Sequence, residues 1–232
     1  MQKRDTSMRC VALVFSSMGL ALFDMDKTLL SESSGTLYIK YLAKRRMITL
    51  GEFAGVMLVS AQYSLNVLNF PKALARLSKY VKGGDAAATR QICDQWVEED
   101  VLQYIAPNAL ARLREHEQRG DMAMLLSAST QFAVEPVARH LNIPYRCTEL
   151  EVVNGKFTGD IVGDSCFGDG KRIWGERLAA ERRVPLADVT FYTDSFSDHT
   201  LLDVVGHPIV INPDRKLRKY ARVKGWPIET FY

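Results

Sequence analysis

At 232 residues, with 47% hydrophobic and 25% charged side chains, the chain can bury one sizeable core, or one core and a small accessory unit, as ordinary soluble globular proteins do. Its net charge of +3 is too small to argue for nucleic acid or an anionic surface as a partner. Cys10, Cys93, Cys147 and Cys166 are scattered, as are His116, His140, His199 and His207, which favours reduced thiols in a cytoplasm over a disulfide framework or a zinc site.

Lys3, Arg4 and Arg9 precede an apolar run from Cys10 to Phe23 that has the outline of a secretory signal. Cleavage after that run would remove the strand leading into Asp24 and Asp26. Residues 1–17 therefore read as an N-terminal extension, poorly ordered as termini commonly are, with Met18 near the start of the folded domain. Leu20 to Phe23 is short and wholly apolar, the mark of a fully buried strand, and it ends in Asp24, Asp26 and Thr28. Carboxylates beside a core strand are costly unless a cation, a proton or hydrogen bonds compensate them, and open parallel sheets bind ligands at such strand ends. A turn or a helix cap is the plainer use of the same residues.

From Gly35 to Ala106 strand signal is scarce and apolar residues recur at helical spacing. Leu37, Tyr38, Tyr41 and Leu42 form one stripe; Phe53 to Phe70 forms a second helix, closed by Pro71; Leu74, Leu77, Tyr80 and Val81 suggest a third; Ala86 to Tyr104 reads as a fourth. Together they predict an all-helical insertion over residues 35–105. The stretch Phe53 to Phe70 carries no charge and follows Lys44-Arg45-Arg46, so membrane contact has to be weighed. Ser60, Gln62, Ser64, Asn66 and Asn69 interrupt it, and a buried helix of the insertion is the better reading.

Helix and strand then alternate. Helices are predicted at Asn108 to Arg119, Phe132 to Leu141, Lys171 to Arg182, His199 to Val205 and Leu217 to Val223. Strands are predicted at Met122 to Ser127, Val189 to Thr193 and Ile209 to Ile211, with a hairpin turning on Asn154-Gly155. This order argues an α/β fold with a doubly wound, mostly parallel sheet over residues 18–34 and 106–232. The cations at Arg215, Lys216, Arg218, Lys219, Arg222 and Lys224 read as the solvated face of the last helix.

Three core strands thus end in reactive groups: Asp24 and Asp26, then Ser127, then Asp194 with Asp198. Lys171 adds a cation just before a helix. Each alone has a plain structural use as a cap or surface residue. Together, carboxylates, one hydroxyl and one lysine are what phosphoryl transfer with magnesium needs: hard oxygen ligands for Mg2+ and donors for the transferring group. A carboxylate can also act as nucleophile.

In these motifs the chain resembles the haloacid dehalogenase superfamily, and within it subfamily IB and its phosphoserine-phosphatase-like branch. Asp24-Met25-Asp26-Lys27-Thr28 matches the first motif, Ser127 the second, Lys171 the third, and Asp194-Ser195-Phe196-Ser197-Asp198 the fourth. The resemblance implies a Rossmann-like core with an all-helical cap of the C1 type inserted after the first strand. It implies a magnesium-dependent phosphatase of a small-molecule phosphate ester, working through an aspartyl-phosphate. Asp24 would be the nucleophile and Asp26 the acid and base. Asp24, the Asp26 carbonyl and Asp194 would hold Mg2+, with Asp198 close by. Ser127 and Lys171 would bind the phosphoryl oxygens, and Thr28 would support the loop. The carboxylate at Asp26, which dehalogenase relatives lack, favours phosphate ester hydrolysis. Ser33 stands where phosphoserine phosphatases place a glutamate, and Ser127-Ala128-Ser129 replaces their Ser-Gly-Gly. The apolar insertion leaves room for a lipid head-group phosphate as an alternative substrate, and transfer to an alcohol is a further alternative.

Overall fold

The computed structural model describes residues 18–49, 51, 76 and 78–232. The predicted extension 1–17, the predicted helix Phe53 to Phe70, and Leu74 and Leu77 of the next helix lie outside the described residues. The chain begins with β1 (Leu20–Phe23), a wide turn at Met25–Leu29 and helix α1 (Ser34–Lys44). Helix α2 (Ala86–Trp96) leads through a π-turn and a short 3-10 turn into α3 (Pro107–Arg119). Then come β2 (Met122–Thr130), α4 (Gln131–Leu141), β3 (Tyr145–Thr148) and the hairpin β4 (Leu150–Val153) and β5 (Lys156–Ile161). The last part holds α5 (Asp169–Arg182), β6 (Val189–Thr193), α6 (His199–Leu202), β7 (His207–Ile211), α7 (Arg215–Lys224) and β8 (Ile228–Glu229).

Six strands form one parallel sheet in the order β3-β2-β1-β6-β7-β8. Both faces are covered, so its central strands are apolar throughout rather than alternating. Ala21 and Phe23 of β1 face a core built with α3 and α4; Leu20 and Leu22 face a second core built with α5, α6 and α7. Leu22 and Phe191 are fully buried, and each such side chain contributes about 1.5–3 kcal/mol of transfer free energy. The chain leaves β1 for β2 and β3 on one side, then returns to β6 on the other. The crevice beyond the carboxyl end of β1 is therefore the switch point at which such sheets bind ligands.

Asn154 (φ 51°) and Gly155 (φ 77°) turn the predicted hairpin, both left-handed as a type I′ turn requires. The hairpin tip also pairs with the residues before α2: Gly83 N–H donates to the Phe157 carbonyl at 2.8 Å and Ala86 N–H to the Gly155 carbonyl at 2.9 Å. Trp96 and Cys93 of α2 join Phe132 and Val137 of α4 in one core, so the described part of the insertion packs on the sheet domain. The strands β3 and β8 were not predicted. They are four and two residues long, lie at or next to the sheet edges, and acquire strand form from their neighbours rather than from an apolar run. Among the described residues no helix is long and apolar enough to cross a membrane.

Candidate active site

Asp24 is the first residue past β1, still extended, and its N–H donates to the Tyr192 carbonyl at 2.9 Å, prolonging the β1–β6 pairing. The turn Met25–Leu29 is closed by the Leu30 N–H on the Met25 carbonyl at 2.8 Å. Within it Asp26 is extended, while Lys27 is left-handed at φ 55°. That conformation costs a non-glycine residue about 1 kcal/mol and is tolerated where surroundings enforce it. Here the Lys27 carbonyl accepts the Tyr232 hydroxyl at 3.0 Å. Burial, then the charges of Asp194 and Glu32, push the Tyr232 phenol up to about 12, which places that ring beside the acidic site.

Lys171, in the first turn of α5, is 1% exposed. Its Nζ lies 2.7 Å from Asp198 Oδ2 and 3.0 Å from Asp24 Oδ1. Burial pulls the amine's pKa down, but Asp198 and Asp24 outweigh it and hold the ammonium firmly charged. Asp198 is itself buried; its Oδ2 also accepts the Thr193 hydroxyl at 2.6 Å and its Oδ1 the Ser197 hydroxyl at 3.3 Å. Asp24 Oδ1 takes Met25 N–H at 2.8 Å as well as Lys171, so among the described residues Oδ2 is the oxygen left open.

Burial drives the Asp24 carboxyl from 3.8 up to about 7 against the pull of Lys171, with Asp198 and Asp26 adding to the rise. Burial likewise lifts Asp194 well above the carboxylate range, and the charges of Asp24 and Asp198 lift it further. Two neighbouring carboxyls that resist ionisation, Asp24 against the pull of Lys171 and Asp194 against that of Lys27 and Lys171, describe a site short of positive charge. Their hard oxygens suit a magnesium ion. Among the described residues no three Asp, Glu, His or Cys side chains converge into a ready-made cage. Magnesium does not need one, since it keeps several waters and takes one or two carboxylates.

The other predicted residues stand apart from this pairing. Asp26 turns its carboxylate toward the start of α1 and the end of β2, accepting Ser34 N–H at 2.6 Å, the Ser34 hydroxyl at 3.0 Å and the Ser129 hydroxyl at 2.8 Å. Ser127 is buried and its hydroxyl accepts Ser129 N–H at 3.2 Å, at a bulge where β2 slips its register against β3. Thr28 is fully buried and its hydroxyl has no hydrogen-bond partner among the described residues.

Sequence reasoning missed Ser34, Ser129, Thr193 and Asp214. Asp214 ties the loop after β6 to α7: its N–H donates to the Asp194 carbonyl at 3.0 Å, and its carboxylate accepts Phe196 N–H and Leu217 N–H, each at 2.8 Å. The serine that starts α1 and the hydroxyl-rich end of β2 were the available signals, because such residues bond nearby polar groups at element ends.

The placement of Lys171 rests on a close approach of two backbones. A Cβ at Gly170 would stand 1.9 Å from the Ser165 carbonyl oxygen. Gly170→Ala is therefore expected to displace the start of α5 and to cost about 3 kcal/mol, read as a lowered midpoint in denaturant. A variant as stable as the parent would contradict this packing.

Residues 21–203 match the family model for haloacid dehalogenase-like hydrolases. A protein of Mycobacterium tuberculosis named as a probable phosphatase is 32% identical over 217 residues, covering 91% of this chain and 75% of that one. The histidinol-phosphatase of Neisseria meningitidis is 30% identical over 224 residues, covering 91% of this chain and 98% of that one. A crystal structure of a protein of unknown function from Bordetella pertussis superposes with a TM-score of 0.83 at 26% identity, covering 94% of this chain and all of that one.

Proposed function

This chain belongs to the haloacid dehalogenase-like hydrolases, and from that premise we propose that it is a magnesium-dependent phosphomonoesterase of a small-molecule phosphate ester, acting through an aspartyl-phosphate at Asp24. The observation that carries this reading is the buried Lys171 held between Asp24 and Asp198, with Asp24 Oδ2 left open among the described residues at the sheet's switch point.

Asp24 Oδ2 attacks phosphorus, and the bond from phosphorus to the ester oxygen breaks. Asp26, protonated at that stage, gives its proton to the departing alkoxide. A water molecule then attacks the phosphorus of the acyl phosphate while Asp26 takes a proton from it. The bond from phosphorus to Asp24 breaks, releasing inorganic phosphate and restoring the carboxylate. Lys171 and the Ser127 hydroxyl receive charge on the phosphoryl oxygens. Asp198, whose oxygens are taken by Lys171, Thr193 and Ser197, holds the lysine in place. Asp24, Asp194 and the Asp26 carbonyl would hold Mg2+, which when bound neutralises charge on the transferring group.

Residues 35–105 are the helical cap in this reading, closing over the site and selecting the substrate's organic part. The thiols Cys93, Cys147 and Cys166 are free and buried, which supports a cytoplasmic setting. The Neisseria meningitidis relative, matched along 98% of its length, is named a histidinol-phosphatase, so histidinol phosphate is the first physiological ester to test.

The test is phosphate release from p-nitrophenyl phosphate, then from histidinol phosphate, phosphoserine and a lipid head-group phosphate, with and without magnesium. No magnesium-dependent release from any of them would overturn the reading. The raised carboxyls add a pH dependence. Asp24 titrates near 7 when folded and at 3.8 in its ordinary state, so between those values the folded protein holds a proton that the unfolded chain has lost. Metal-free stability therefore falls as pH rises through that window. Magnesium must displace those protons, so its affinity rises with pH. Thermal melts are expected to show a larger magnesium-induced rise in Tm at about pH 8 than at about pH 6. An equal rise at both would contradict the carboxylate site.

A further inference from the structure

The second strand ends in Ser127-Ala128-Ser129, and Ser129 makes a contact that the reaction above does not use. Its hydroxyl donates to Asp26 Oδ2 at 2.8 Å. Ser34, the first residue of α1, completes the arrangement: its N–H donates to Oδ1 at 2.6 Å and its hydroxyl to Oδ2 at 3.0 Å. The two hydroxyls are 3.0 Å from each other. Asp26 is thus gripped on both oxygens by groups from β2 and α1, 95 residues apart in the chain. We propose that Ser129 is a positioning residue for Asp26, fixing the carboxyl that protonates the leaving alkoxide. The inference rests on the reading of Asp26 as the general acid.

Three features support it. A carboxyl swings freely about its terminal torsion, and two donors on one oxygen with a third on the other leave it a single orientation. A hydroxyl can donate to a carboxylate and accept from a carboxylic acid, so Ser129 remains a partner in both states that proton transfer requires. The bulge after Ser127, with Ser129 N–H returning to the Ser127 hydroxyl at 3.2 Å, turns residue 129 toward the first strand's turn. Glycine or alanine at 129 would leave the backbone path open and remove the hydroxyl.

The test compares two esters that differ in their need for an acid. p-Nitrophenolate leaves without a proton; phenolate, far more basic, leaves slowly without one. The quantity compared is kcat/KM, which covers the steps through release of the first product and so excludes the later hydrolysis of the phosphoenzyme. Ser129→Ala is expected to lower kcat/KM for phenyl phosphate by about tenfold and for p-nitrophenyl phosphate by less than about twofold. Ser129→Thr, which restores a hydroxyl, is expected to recover phenyl phosphate turnover. Equal losses on both esters, or none on either, would overturn the proposal. Asp26→Asn is the control: it must discriminate between the esters more strongly than Ser129→Ala. If it does not, the reading of Asp26 as the acid fails and this inference fails with it. If it does and Ser129→Ala does not, only the role of Ser129 is lost.

Discussion

Asp24→Asn is expected to lose at least about four orders of magnitude in turnover of p-nitrophenyl phosphate, because an amide cannot form the acyl phosphate that divides the reaction into two steps. Its stability is expected to move the other way. The wild-type carboxyl is raised to about 7, so at higher pH the folded protein carries an ionised group that its burial resists. The near-isosteric amide removes that cost, and Lys171 keeps Asp198 at 2.7 Å. Metal-free Asp24→Asn should therefore be at least as stable as the parent at about pH 8, the pattern of an active-site residue retained for chemistry rather than for folding. Turnover above about one hundredth of wild type would remove Asp24 from the nucleophile's role. A normal melt beside lost turnover separates this outcome from simple unfolding.

Lys171→Met is expected to damage both properties. The side chain is 1% exposed and is the cation in contact with both Asp24 and Asp198. Methionine fills much of the volume and leaves two buried carboxyls facing each other, a loss of about 3–5 kcal/mol for a broken buried pair. The loss depends on pH. Lys171 lowers the Asp24 pKa, so its removal raises that value above about 7 and lets the folded state take up protons that the unfolded chain has released. Protonation relieves the repulsion, so the variant should lose less stability at about pH 5 than at about pH 8. Turnover should fall by about a thousandfold or more, since the phosphoryl oxygens lose their fixed ammonium. Denaturant titrations at the two pH values check the first expectation and the p-nitrophenyl phosphate assay the second. An equal loss of stability at both would mean that the lysine does not hold these carboxyls.

Much of this arrangement was legible in the sequence because the central strands of a parallel sheet are covered on both faces. Leu20 to Phe23, Met122 to Leu126 and Val189 to Tyr192 stand out as apolar runs, and the polar residue that ends each run marks the sheet's carboxyl edge. The Asn154-Gly155 turn was equally plain, since few other dipeptides accept two left-handed residues in succession. Lys171 was legible as a cation at a helix start, but not its burial. A lysine in the first turn of a helix is ordinarily a surface residue, and its burial depends on a turn at Gly168 (φ 55°) and on Gly170 lying against Ser165.

What escaped was set by tertiary contacts. Ser34 and Ser129 meet Asp26 because Asp26 leaves helical geometry inside its turn, at ψ 129°, and no local pattern announces that. The predicted helix from Ala86 to Tyr104 stops at Trp96 and continues as wider and tighter turns, although the segment contains neither glycine nor proline. Thr193, predicted only as the end of a strand, donates to Asp198 at 2.6 Å and so belongs to the network around Lys171.

The central claim is that the phosphoryl group passes through Asp24. Acid-quenching the wild-type protein within its first turnovers of p-nitrophenyl phosphate, then mapping peptides by mass, tests it most directly. The account predicts one added phosphoryl group on the peptide containing Asp24, removable by hydroxylamine as acyl phosphates are and absent from Asp24→Asn. Phosphate release with no such adduct at any time, or an adduct on another residue, would contradict it.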